Sequence, residues 1–186
     1  MPWLWIAVGA IALLLVLLAV GYNRLVRLRN EVNTGWANID VQLQRRADLI
    51  PNLVEAVRGY AAHERGVFEE VTEARAALQA AATPGAAGSA NDVLTAALGR
   101  LLAVAEAYPE LRASENFLRL QDDLTDTEDK ISAARRYYNS TVMHYSTAIQ
   151  SIPWVLVARP FGFREKEFFS ASGDTGVPDV SFAPAP

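Results

Sequence analysis

Two histidines, His63 and His144, are the only imidazoles in this 186-residue chain. His63 stands beside Glu64, yet no second histidine follows at i+4, so the helical zinc-protease motif is absent. No Glu-x-x-His occurs, which removes the di-iron bundle pattern. With no cysteine, disulfides, thiolate metal sites and thiol nucleophiles are excluded too. Asp122, Asp123, Asp126, Glu128 and Asp129 crowd one stretch. Paired carboxylates do acid–base chemistry, but on a helix these five spread around most of the circumference and read as a solvated face. Neither a glycine-rich phosphate loop nor a Gly-x-Ser-x-Gly elbow is present. The residues name no catalytic group, cofactor, metal or small-molecule substrate, and a net charge of −4 carries no nucleic-acid footprint.

A different set of polar residues lies beside hydrophobic stripes. Arg45, Arg46, Asp48 and Asn52 flank Pro51, and Arg135, Arg136 and Asn139 flank a second stripe. Polar groups bordering a helix seam set register and partner choice, so these eight residues are the candidate interaction site. Plain solvation of the surface is the competing reading.

The elements that position them begin with a membrane segment. Trp3 to Tyr22 is an uncharged run of 20 residues, about 30 Å as a helix, the thickness of a bilayer's hydrocarbon core. Trp3 and Trp5 at one end and Tyr22 at the other suit the interface. A cleaved signal peptide would need a basic start, and only Met1 and Pro2 precede the run. Arg24, Arg27 and Arg29 follow it closely, whereas no Lys or Arg precedes it. The positive-inside rule then places the rest of the chain in the cytoplasm.

From Leu25 the apolar positions keep one phase through Leu28, Val32, Trp36, Ile39, Leu43, Ala47, Ile50, Val54, Val57, Ala61, Phe68, Val71 and Leu78. Glu64 and Arg75 are the polar interruptions. Fifteen steps over 53 residues give a period of about 3.5, that of helices packed as in a coiled coil. One helix continuing from the membrane segment is expected, kinked at Pro51, although a stop at Ile50 is the alternative. Ala80 to Ala90 is small and breaker-rich and reads as a loop, with Ser89 and Asp92 as a capping box. A short helix follows, with Val93, Leu94, Ala97, Leu98, Leu101, Leu102, Ala105 and Tyr108 inward, up to Pro109. A second long helix spans about Ser114 to Ile152, again with period about 3.5, and Pro153 stops it. Residues 154–169 are aromatic and basic, and belong either on the bundle end or on the membrane surface. Residues 170–186 read as a disordered tail.

Several of these strings resemble the LemA family. They are Tyr22-Asn23-x-Leu25-Val26-x-Leu28-Arg29-Asn30, Trp36-x-x-Ile39-Asp40-Val41-Gln42-Leu43, Arg45-Arg46-x-Asp48-Leu49-Ile50-Pro51-Asn52-Leu53-Val54 and Gly59-Tyr60-x-x-His63-Glu64. Ala113-Ser114-Glu115-Asn116-Phe117, Thr127-Glu128, Ala134-Arg135, Tyr138-Asn139 and Phe161-Gly162-Phe163 continue the likeness. It implies a bacterial membrane protein with one N-terminal membrane helix and a helical bundle, and it implies no catalytic residue, cofactor or substrate.

The expected architecture is all-α. Residues 1–22 are a transmembrane anchor, and 23–169 an elongated antiparallel bundle of three to four helices, two of them long and coiled-coil-like. The function this favours is a single-pass inner-membrane scaffold or adaptor, with lipid at residues 3–22 and a protein partner or second copy on the bundle. A protein that organises the bilayer directly is the alternative, and an enzyme with an unrecognised site is the third class.

Overall fold

The computed structural model describes residues 2–169, and every regular element among them is helical. The elements are α1 (Pro2–Arg58), α2 (Arg65–Ala80), α3 (Pro84–Glu106), α4 (Pro109–Arg112), α5 (Glu115–Gln150) and α6 (Val155–Ala158). The tail expected at 170–186 lies outside the described residues.

Helix α1 runs from the apolar start into the bundle without interruption and passes through Pro51. The stop considered at Ile50 does not occur. The break falls instead at Gly59, so the single helix expected up to Leu78 is two helices, α1 and α2. Glycine is costly in a helix interior, and at this turn Tyr60 N and Ala61 N both donate to the Val57 carbonyl, at 3.0 and 2.9 Å. Ala61 stays buried in the turn. The hydrophobic phase therefore carries across a place where the helix does not, which is why periodicity alone missed the break.

The loop expected at Ala80–Ala90 shrinks to residues 81–83. Pro84 opens α3 at its first turn, where a proline loses nothing because that N–H would be unpaired anyway. Thr83 caps the helix by accepting from Ala86 N at 3.3 Å. Thr83, rather than Ser89, is the cap, and the small residues Ala87 and Gly88 are buried in the first turns. In α3, Leu94, Ala97, Leu98, Leu101 and Ala105 face inward as expected, whereas Val93 is exposed. Pro109 starts the single turn of α4, whose Leu111 is buried. Helix α5 ends two residues short of Ile152, which is exposed and precedes a cis bond to Pro153.

Burial follows both seams. Leu25, Val32, Ile39, Leu43, Ala47, Ile50, Val54 and Val57 on α1 are buried, as are Phe117, Leu120, Leu124, Thr127, Ile131, Tyr138, Val142, Tyr145 and Ile149 on α5. The start of α1 is the opposite: Leu13 to Leu17 each leave more than half of their surface uncovered. A soluble core helix would be covered, so this helix is long and apolar enough to cross a membrane.

The chain forms two compact units, one from residues 2–41 with 131–168 and the other centred on 42–130. Within the first, α1 and α5 run antiparallel. Gly35 on α1 lies against Tyr138 and Thr141, and Gly21 against Trp154 beyond the end of α5. A Cβ at Gly35 would stand 3.4 Å from the Tyr138 backbone, an ordinary van der Waals distance, so the two helices pack closely here without depending on glycine. Within the second unit α1 meets α3 and α5 around Arg46, and an Arg100–Glu70 ion pair joins α3 to α2.

Candidate functional site

Arg46 is the polar centre of the second unit. It projects from α1 between Ala47 and Leu43, both buried, and is itself only 4% exposed. Its Nη1 donates to Asn91 Oδ1 of α3 at 2.6 Å, and Nη2 to Thr95 Oγ1 at 3.0 Å. Glu128 Oε2 of α5 lies 2.6 Å from Nη1, an ionic contact outside hydrogen-bond geometry. Burial pulls the guanidinium's affinity for its proton down, and the charges of Glu128 and Asp92 oppose that. An arginine stays protonated under such opposing influences, so three helices are fastened to one cation. Arg46 Nε and the nearby Gln42 Oε1 are buried without a hydrogen-bond partner.

Arg45, one residue earlier, points to the outer edge of the same junction. Its guanidinium is 3.9 Å from Asp123 and 3.6 Å from Asp126, with all three side chains substantially exposed. Lys130 donates to Asp126 at 2.7 Å, and this bond holds the carboxyl below the usual carboxylate range. The acidic stretch on α5 is thus more than a solvated face: Asp123, Asp126 and Glu128 meet the α1 arginines.

Pro51 is exposed on α1, with Asp48 and Asn52 exposed beside it. A proline cannot donate to the carbonyl four residues back, here that of Ala47. Arg75 of α2 donates to that carbonyl through Nε at 2.7 Å. Arg75 looked like a mere interruption of the seam. The signal that it matters was a charged residue at a position in phase with the core. Asn91, Thr95 and Glu128 gave no such signal, since nothing in the sequence set them opposite Arg46.

The remaining candidates lie in the first unit. Arg135 and Asn139 are half-buried and Arg136 is exposed. Tyr138 between them is buried, its ring 6.0 Å from Trp36 and its hydroxyl donating to Glu167 O at 2.6 Å. Burial, and then the Glu167 charge, push its pKa up to about 12. At the end of the apolar run, Tyr22 meets Phe161 and Phe163 edge-on at 5.1 and 5.7 Å. Arg24 lies over Trp154 at 5.6 Å and Arg29 over Phe163 at 5.2 Å, cation–π geometry in both cases. Arg27 is exposed, as are Trp3 and Trp5.

His63 and His144 are both exposed. Among the described residues no group of three or more histidines and carboxylates could hold a metal ion.

The LemA family pattern matches residues 35–182, most of the chain. The chain belongs to the LemA family. Its relatives include the magnetosome protein MamQ of Magnetospirillum gryphiswaldense, 28% identical over 200 residues, which cover 92% of this chain and 74% of the relative. MamQ 2 of Paramagnetospirillum magneticum is similar to the same extent. Protein LemA of Metamycoplasma hominis is 25% identical over 154 residues, 81% of this chain and 69% of that protein. None of these names is that of an enzyme.

The LemA-like strings fall at the junctions just described. Asp48 to Val54 carries the proline and follows the carbonyl that Arg75 satisfies. Trp36 and Tyr138 face each other between α1 and α5. In Phe161-Gly162-Phe163 the glycine has φ 72°, a left-handed turn that other residues rarely adopt, and it lets both rings reach Tyr22.

Proposed function

We propose that this LemA-family chain is a single-pass scaffold or adaptor of the bacterial inner membrane, and that it works by binding rather than by catalysis. Residues 1–22 serve as the anchor and 23–169 as the bundle. The observation that carries the reading is the continuity of α1: the apolar span and the first helix of the bundle are one helix from Pro2 to Arg58. An enzyme tethered to a membrane works as well on a flexible linker. A helix without a linker holds the first turns of the bundle at a set height above the bilayer, which suits a platform for a partner or a second copy. The polar side chains of the Arg45–Arg46 junction support this, because they are turned on one another and fasten helices together. The three arginines after the span favour a cytoplasmic bundle.

Crosslinking in intact cells, followed by mass spectrometry, tests the proposal. Photo-crosslinkers at the exposed positions Asp48, Asn52 and Arg136 are expected to capture one discrete protein or a second copy of the chain. A scatter of unrelated proteins from every position, unchanged when the bundle is unfolded by a core substitution, would refute it.

A further inference from the structure

The chain returns to the membrane end of α1 after α5, and the return is anchored closely. Gly21 lacks a side chain, and the Trp154 ring occupies the space: a Cβ there would stand 2.5 Å from Trp154 Cζ3. Val157 and Ala158 are buried in the same region, and Tyr22 holds Phe161 and Phe163 edge-on. Gly21 and Tyr22 are the last residues of the uncharged run. The segment 152–163 is therefore fixed at the height where α1 leaves the hydrocarbon, the layer of headgroups and glycerol that aromatic side chains prefer.

Apart from Arg159, the large side chains this segment leaves uncovered are apolar. Ile152 is 85% exposed, Leu156 70% and Phe161 59%. Leu156 is a neighbour of the buried Val157, so the turn has an inner side against the bundle and an outer side with no protein on it among the described residues. The charges close by are mostly basic: Arg24, Arg27, Arg159, Arg164 and Lys166 are all exposed, against the exposed carboxylates Glu165 and Glu167. Exposed apolar side chains among cations fit the boundary of an anionic bilayer.

We infer that Ile152 to Phe161 form a second, interfacial contact with the membrane, seated in the leaflet from which α1 emerges. The occupant is lipid. The segment is continuous with the span through the Gly21–Trp154 and Tyr22–Phe161 contacts, so it cannot leave the headgroup layer without leaving α1. The first unit is then held to the bilayer at two points, by the span and by the tip, and it cannot swivel freely about α1. The inference rests on residues 3–22 crossing the bilayer.

The absence of cysteine makes site-directed spin labelling direct. Single cysteines are placed at Leu14, Tyr137, Leu156 and Phe161 in the full chain, which is reconstituted in vesicles of phosphatidylcholine and phosphatidylglycerol. Tyr137 is exposed and lies about 20 Å back along α5 from its end. Collisions with oxygen, which partitions into lipid, and with a water-soluble nickel chelate report depth. Labels at Leu156 and Phe161 are expected to give an oxygen-to-nickel ratio several-fold above that at Tyr137 and below that at Leu14. A ratio at both positions equal to that at Tyr137 overturns the inference while leaving the span intact. Shielding from both reagents overturns it as well, because the cover is then protein. A water-accessible label at Leu14 removes the span itself, and the inference with it.

Discussion

Arg75 on α2 donates its Nε hydrogen, at 2.7 Å, to the Ala47 carbonyl that Pro51 leaves without a donor from its own helix. A long helix tolerates an interior proline when a neighbour satisfies the freed carbonyl. That links the two residues through the Ala47 carbonyl. Arg75→Ala should destabilise the chain by about 1–3 kcal/mol, the cost of an unsatisfied buried acceptor. The same change in a Pro51→Ala background should cost clearly less, because the substituted alanine would supply the missing N–H. Pro51→Ala alone should preserve or raise the melting temperature. Thermal unfolding of the four proteins in detergent forms the cycle, and equal costs of Arg75→Ala in both backgrounds would count against the partnership.

Arg46 and Arg45 are neighbours with opposite expectations. Arg46→Ala would strand Asn91 and remove the cation shared by α1, α3 and α5. Breaking a fully buried pair costs about 3–5 kcal/mol. Glu128 keeps 44% of its side chain exposed and can rehydrate, so about 2–3 kcal/mol is expected. Arg45→Ala should change the melting curve little, since its pairs are long and open to water. A larger loss at Arg45 than at Arg46 would contradict this assignment.

Core and surface on α5 should separate as sharply. Ile131 is 2% exposed, and Ile131→Ala should cost roughly 2–5 kcal/mol. Asp122→Ala, at a carboxylate on the outer side of the helix, should leave the melting temperature close to that of the parent. Parallel shifts for the two variants would be incompatible with the seam that places Ile131 inward.

Tyr138 predicts an alkaline limit to stability. Its pKa is raised in the folded chain to about 12, by burial first and the Glu167 charge second, above the ordinary value of about 10. A group held neutral in the fold stabilises it fully below the unfolded pKa. That contribution is lost as pH rises from about 10 through about 12. Burial raises Tyr145 as well, so tyrosinate absorbance should show a late-titrating phase that loses one tyrosine, and not the whole phase, in Tyr138→Phe. A titration unchanged by that substitution would assign the late proton elsewhere.

Topology is testable with a fusion. Arg24, Arg27 and Arg29 favour a cytoplasmic bundle, so a reporter active only outside the cytoplasm should be silent when joined after Phe169. Strong activity there would place the bundle on the other side of the membrane.

The helical class, the apolar span and the two inward faces were legible from the residues alone. Those follow from local spacing: a 20-residue uncharged run and a stripe of period about 3.5 are readable without knowing what they touch. The sequence also singled out Arg45, Arg46 and Pro51, because charge and proline stand out against such a stripe. Helix ends were less legible. Gly59 breaks a helix while Ala61 keeps the core phase, and Pro84 looks like a breaker until it is seen to begin α3. Which polar groups meet became visible only in the packed helices. Arg46 finds Asn91, 45 residues on, and Arg75 reaches Ala47, 28 residues back. Trp154 fills the space over Gly21 from 133 residues further on. Such pairings depend on which turns of separate helices lie opposite one another. That register is set by the close packing of entire faces, a property that no local window of sequence contains.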